Sequence, residues 1–155
     1  MAEKTARDIM SEDPVTVGPD VPVTEAARIM VDRHIGGLPV IREGELVGLV
    51  TEGDLIMGDV RLQFPTYIHL LGGLIMYPPA TAKFEHELKK AVAATVADVM
   101  TEDPVTVQAD STVEDVATLM VEREVSHVPV LDDDQLVGII TKADIVRSMV
   151  GGQKL

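Results

Sequence analysis

The feature that most constrains this chain is a long internal repeat. Residues 7 to 57 align with 97 to 147 without a gap, at a constant offset of ninety positions. Asp8, Met10, Glu12, Asp13, Pro14, Val15, Thr16 and Val17 recur as Asp98, Met100, Glu102, Asp103, Pro104, Val105, Thr106 and Val107; Asp20, Val23, Ala27, Met30, Arg33, Pro39, Val40, Leu46 and Val47 also recur. So long a period used twice argues for a duplicated unit, since a solenoid needs three or more shorter repeats to bury a core. Within the repeat, Gly48-Leu49-Val50-Thr51-Glu52-Gly53-Asp54 returns as Gly138-Ile139-Ile140-Thr141-Lys142-Ala143-Asp144. Each copy runs from a strand-like apolar segment into a helix-like one, so a Thr hydroxyl and a carboxylate fall at a strand-to-helix junction. Two such junctions suggest two related pockets.

The pattern predicts a strand, helix, strand, strand, helix unit in each copy. Thr5 to Met10 reads as a short helical lead-in that stops by Asp13, because a residue before proline is biased away from the α region. Val15-Thr16-Val17 follows as a brief strand. Val23, Ala26, Ala27 and Met30 form a helical stripe over 23 to 33, ended by Gly36-Gly37 as a glycine cap. Leu38 to Ile41 and Leu46 to Val50 make a hairpin about Glu43-Gly44, and a second helix starts after Thr51. In the second copy Val113, Val116, Ala117 and Met120 carry the stripe, with Ser111 and Glu114 as its capping box. Strands at Val128 to Leu131 and Leu136 to Thr141 flank a polar turn at Asp132 to Gln135. A last helix runs from Lys142 to Val150, closed by Gly151-Gly152.

The expected organisation is a first repeat over 1–57, an insert over 58–94, a second repeat over 95–150 and a tail over 151–155. The insert is apolar and holds Phe64, Tyr67, Tyr77 and Phe84, all the aromatic residues of the chain. A helical pattern from Ala82 to about Val92 carries a Glu85–Lys89 pair at i, i+4. Such a segment should be packed, either as cover for one edge, as part of a dimer contact, or as filling for the core between the repeats.

Composition excludes several classes of function. A net charge of −13 lacks the basic footprint with which a nucleic-acid binder displaces counterions. A small anion could bind only where local donors overcome that field. With no cysteine there is no disulfide framework and no thiolate metal site, which fits the cytoplasm. Met1 to Met10 has no apolar run behind its charges, so no signal peptide is expected. The longest apolar stretch, Ile68 to Tyr77, is well short of the about 20 residues that span a bilayer, so a soluble, membrane-free protein is expected. His86-Glu87 begins a zinc-protease helix, but position 90 is Lys and the second ligand is missing. Asp132-Asp133-Asp134 lacks the alternating spacing of a calcium loop. No nucleophile and base stand at a suggestive spacing, and neither a catalytic set nor a metal site is expected.

The Asp8-Ile9-Met10 and Pro14-Val15-Thr16-Val17 lead-in, the Pro39-Val40 strand start and the GxxTxxD stretch, each present twice, resemble a tandem pair of CBS domains, often called a Bateman module. The resemblance implies an α/β fold of two βαββα units related by a pseudo-twofold and packed sheet to sheet. It also implies a flat homodimer and a regulatory, non-enzymatic module that senses adenosine-containing ligands, with AMP, ADP or ATP ahead of S-adenosylmethionine or NAD. The signal would pass to an effector protein by a conformational shift. In this family the motif Asp holds ribose hydroxyls, which here names Asp54 and Asp144, and the motif Thr lies by the phosphate, naming Thr51 and Thr141. Backbone about Thr16-Val17 and Thr106-Val107 would read the adenine edge, with Leu38-Pro39 and Val128-Pro129 as apolar walls.

The residues themselves leave a plainer reading open. Thr at an N-cap with an acidic residue three positions on is also a capping box, and the carboxylate suits the helix dipole. A chain whose motifs only cap helices would be a dimeric interaction scaffold with no physiological ligand. The copies also differ: His127 and Lys142 in the second stand where the first has Gly37 and Glu52. A cation favours phosphate, so the Asp144 site should tolerate phosphate better, unless Arg33, His34 or Arg123 lends a cation across the copies.

Overall fold

The computed structural model describes residues 3–62 and 94–150; expectations placed on 63–93 and 151–155 lie outside the described residues. The first copy comprises α1 (Ala6–Ile9), β1 (Ser11–Glu12), α2 (Val23–Arg33), β2 (Gly37–Arg42), β3 (Glu45–Thr51) and α3 (Glu52–Leu62). The second comprises α4 (Val96–Val99), β4 (Thr101–Glu102), β5 (Val107–Gln108), α5 (Val113–Glu122), β6 (His127–Asp132), β7 (Gln135–Thr141) and α6 (Lys142–Met149). Among the described residues no helix is long and apolar enough to cross a membrane.

The helical stripes bury where their spacing directs, with Ala26 and Met30 of α2 and Val116 and Met120 of α5 in the two cores. Each hairpin closes through two residues with positive φ, Glu43 and Gly44 in one and Asp133 and Asp134 in the other. That pairing is the backbone of a type I′ turn, whose twist matches the strands it joins.

The copies are interwoven, which the repeat period alone does not dictate. β1 pairs antiparallel with β7, and β4 pairs antiparallel with β3. The result is two sheets, ordered β1-β7-β6-β5 and β2-β3-β4. Each lead-in helix packs in the opposite core: Ala6 joins Val116, Val128 and Ile140, and Val96 joins Ala26, Leu38 and Val50. Val96 is fully buried, and burying a valine contributes about 1.5–3 kcal/mol, so the exchange is part of the fold's stability. Without β4 from the second copy, the first copy's sheet would be the β2-β3 hairpin, and a two-stranded hairpin is marginal alone.

The motif glycines follow from this crossing. A Cβ on Gly138 would lie 2.9 Å from the Ser11 carbonyl oxygen, and one on Gly48 would lie 3.0 Å from that of Thr101. The first residue of GxxTxxD is therefore small so that the other copy's lead-in can lie against it.

Three local expectations are corrected. His34, with φ 55°, caps α2 in the left-handed conformation in place of Gly36-Gly37. The strand expected at Val15-Thr16-Val17 is reduced to one bridge between Val17 and Val40, and its second-copy counterpart is Val107–Gln108. Thr112, not Ser111, caps α5, accepting from the Asp115 amide at 3.1 Å, while Ser111 Oγ accepts from the Gln108 amide at 3.2 Å. Both hydroxyls are suitable acceptors, but only Thr112 immediately precedes the first helical residue. β1 and β4 were not foreseen, because their partners lie in the opposite copy.

Candidate functional site: two cavities between the copies

The exchanged strands bring each GxxTxxD junction against the other copy's lead-in. One cavity, of about 460 Å³, takes Ser11 to Val15 and His34 to Gly37 from the first copy and Ile139, Thr141, Ala143, Asp144 and Arg147 from the second. The other, of about 260 Å³, takes Leu49, Thr51 and Asp54 from the first copy. Its second-copy walls are Thr101, Asp103, Pro104, Val105 and Glu124 to His127. Adding ninety, or subtracting it, carries most of one lining onto the other. A molecule in either cavity touches both copies.

Capping and cavity-lining coexist in the same residues. Asp144 Oδ2 accepts from the Thr141 amide at 2.8 Å and from Thr141 Oγ1 at 3.1 Å, and Thr141 Oγ1 accepts from the Asp144 amide at 3.3 Å. Thr51 and Asp54 repeat this at 2.9, 3.1 and 3.3 Å. The box thus fixes each carboxylate through Oδ2 alone. Asp144 Oδ1 accepts from Arg147 Nη1 at 2.8 Å; Asp54 Oδ1 has no bonded partner among the described residues. Asp144 is 6% exposed and is the buried polar residue of the described core. A burial so complete is tolerated because its oxygens are hydrogen-bonded.

Backbone strain gathers at the same place. Seven non-glycine residues have positive φ; Glu43, Asp133 and Asp134 belong to the hairpins, and the other four line the cavities. Asp13 and His34 rim the Asp144 cavity, and Asp103 and Glu124 rim the Asp54 cavity. Left-handed non-glycine residues cost free energy and concentrate at functional surfaces.

His127 stands between the two cavities and lines both. Its ring fills the space beside Gly37, where a Cβ would meet Cδ2 at 2.8 Å. Nδ1 is 2.8 Å from Ser126 Oγ. Burial holds the imidazole below its ordinary value of 6.5, outweighing the upward pull of Glu52 and Asp144.

The remaining expected site residues fall elsewhere. Leu38, Pro39, Val128 and Pro129 are fully buried in the hairpins. Val17 and Val107 are buried in the cores. Neither they nor Thr16 and Thr106 line these cavities, whose apolar walls are Val15, Ile35 and Ile139 in one and Val105, Val125 and Leu49 in the other. Lys142 faces the groove between α5 and α6 with Val121 and Val146. Two helical positions separate it from Asp144, about 200° around the axis, so it leaves the cavity side. Arg33 and Arg123 line neither cavity, whereas His34 lines the one built on the other copy's Asp144. Arg147 was missed, although its place three residues after Asp144 puts the two side chains on one helix face.

Comparison with known proteins bears on this arrangement directly. The CBS domain family matches residues 6–60 and again 96–151. The chain is 30% identical over 152 residues to the uncharacterized protein MJ1426 of Methanocaldococcus jannaschii, covering 93% of this chain and 90% of that one. It is 34% identical over 141 residues to the chloroplastic CBS domain-containing protein CBSX2 of Arabidopsis thaliana, covering 85% of this chain but only 57% of the relative's length. The crystal structure of CBSX2 in complex with AMP superposes with a TM-score of 0.71 at 28% identity, over 95% of this chain and 96% of that one. The CBS domain pair of MJ0100, in complex with 5′-methylthioadenosine and S-adenosyl-L-methionine, superposes with a TM-score of 0.72 at 28% identity, over 98% and 100%. With the family matched over both repeats, the chain belongs to the CBS domain family.

Proposed function

We propose that the chain is a non-enzymatic regulatory module that binds adenosine-containing ligands between its repeats, AMP, ADP and ATP ahead of S-adenosylmethionine and NAD. One observation carries this reading: each cavity joins a capped carboxylate from one copy to a strained lead-in from the other. A ligand that touches both copies has a different affinity for each relative orientation of the two, which is what shifting a conformational population requires. The adenosine class is supported by the ligands of CBSX2 and of the MJ0100 pair. Thr141, Asp144, Thr51 and Asp54 would hold the ribose and phosphate side. The output passes to an effector protein, and a cytoplasmic setting fits the absence of cysteine.

Calorimetric titration with AMP, ADP, ATP, S-adenosylmethionine and NAD tests this. Saturable binding that weakens at least tenfold, or about 1.4 kcal/mol, in Asp144→Ala or Asp54→Ala is the expected outcome. No heat with any of the five would leave the scaffold reading in its place. That second reading has its own support in exposed apolar helix faces, where Val31 and Ile56 in one copy correspond to Val121 and Val146 in the other. We infer a homodimer built on these faces under either reading.

A further inference from the structure

We propose that the two cavities divide adenosine ligands by charge, the Asp144 cavity taking a phosphorylated nucleotide and the Asp54 cavity a phosphate-free adenosine whose 5′ end is neutral or cationic. The proposal rests on the adenosine reading above and deepens it. The two linings share their scaffold, so the positions that break the symmetry decide what each prefers. His34 rims the Asp144 cavity where its counterpart Glu124 rims the other. Arg147, bonded to Asp144, has Met57 as its counterpart ninety residues earlier. Among the described residues, the Asp54 cavity presents Asp54, Asp103 and Glu124 with no Lys or Arg. The Asp144 cavity also carries carboxylates, Glu12 and Asp13 beside Asp144, but sets the Arg147 guanidinium against them and has the His34 ring where the other has the Glu124 carboxylate.

A phosphate brought to the smaller cavity therefore meets Glu124 with no described guanidinium or ammonium to offset it. His127, shared by both, does not supply the charge, since its burial favours the neutral ring. Size points the same way, at about 260 Å³ against about 460 Å³. Among the described residues Asp54 Oδ1 has no arginine partner of the kind that Asp144 Oδ1 has, which leaves it as an acceptor for a ribose diol. A sulfonium or other cationic 5′ substituent would complement Glu124 where a phosphate is repelled.

Reciprocal exchange tests the assignment in the full chain. Glu124→His with Met57→Arg gives the Asp54 cavity the other's charges; His34→Glu with Arg147→Met does the reverse. The exchange at 34 and 124 respects the backbone, because His34 and Glu124 already share the left-handed conformation at φ 55° and 53°. Calorimetry with AMP and with 5′-methylthioadenosine should give wild type one tight AMP per chain and one 5′-methylthioadenosine that still binds when AMP is saturating. The first exchange should add a second AMP, tightened on the order of tenfold, the scale of one charge-assisted hydrogen bond. The second exchange should weaken the original AMP by a similar factor. Two AMP molecules of equal affinity on wild type, or exchanges that leave AMP stoichiometry and affinity unchanged, would overturn the assignment while leaving the adenosine reading intact. Wild type that binds neither ligand overturns both. Should an exchanged chain fail to fold, the wild-type competition between the two ligands decides alone.

Discussion

At the scale of residues, Thr51, Asp54, Thr141 and Asp144 show that capping a helix and lining a cavity need not compete. The cap uses one carboxylate oxygen and leaves the side chain facing the cavity. The TxxD spacing alone could not separate these roles, because both ask for the same geometry at a helix start. His127 adds a pH dependence whose sign is fixed by its burial. Its folded-state value lies below 6.5, so the unfolded chain binds the proton more tightly. The stability it allows is intact above about pH 6.5 and is lost as pH falls through that value toward the lower folded one. Thermal melts across this range should show wild type losing more stability on acidification than His127→Gln. Parallel pH profiles for the two would contradict the assignment.

At the scale of elements, the decisive feature is the exchange of lead-ins. Gly138 admits Met10 and Ser11, and β1 then pairs with β7. A methyl group there would press on the Ser11 carbonyl oxygen, a backbone atom that cannot rotate away. Gly138→Ala should destabilise by about 1–3 kcal/mol, the usual cost of overpacking. Denaturant unfolding checks this, and an unchanged midpoint would mean that the lead-in is not held where β7 meets it. Much of this level was legible in the sequence: α2 begins and ends as its stripe predicts, both hairpins form, and both helices start after their motif Thr. The crossing was not, because a repeat period states that two units are alike and not which strand each one borrows. His34 as the cap of α2 was hidden for a similar reason. Left-handed caps favour glycine, and two glycines stood close by, yet Gly36 and Gly37 are needed beside Glu52 and His127.

At the scale of the whole molecule, each copy offers an exposed apolar helix face besides its share of the cavities. Val121 is 78% exposed, and the groove it lines with Met120, Ile145 and Val146 measures about 480 Å³. The related groove between α2 and α3 measures about 310 Å³. Exposed apolar surface that recurs in both copies is the expected footprint of a partner. Sedimentation should find a dimer for wild type and a monomer for Val121→Asp with Val146→Asp; a wild-type monomer would remove these faces as the contact. An NMR titration of labelled protein with AMP checks whether the ligand bridges the repeats, following amides of Glu12, Asp13 and Val15 in one copy and Thr141 to Arg147 in the other. Both sets should shift together along one saturation curve; shifts confined to one copy, or absent from both, would rule the bridge out.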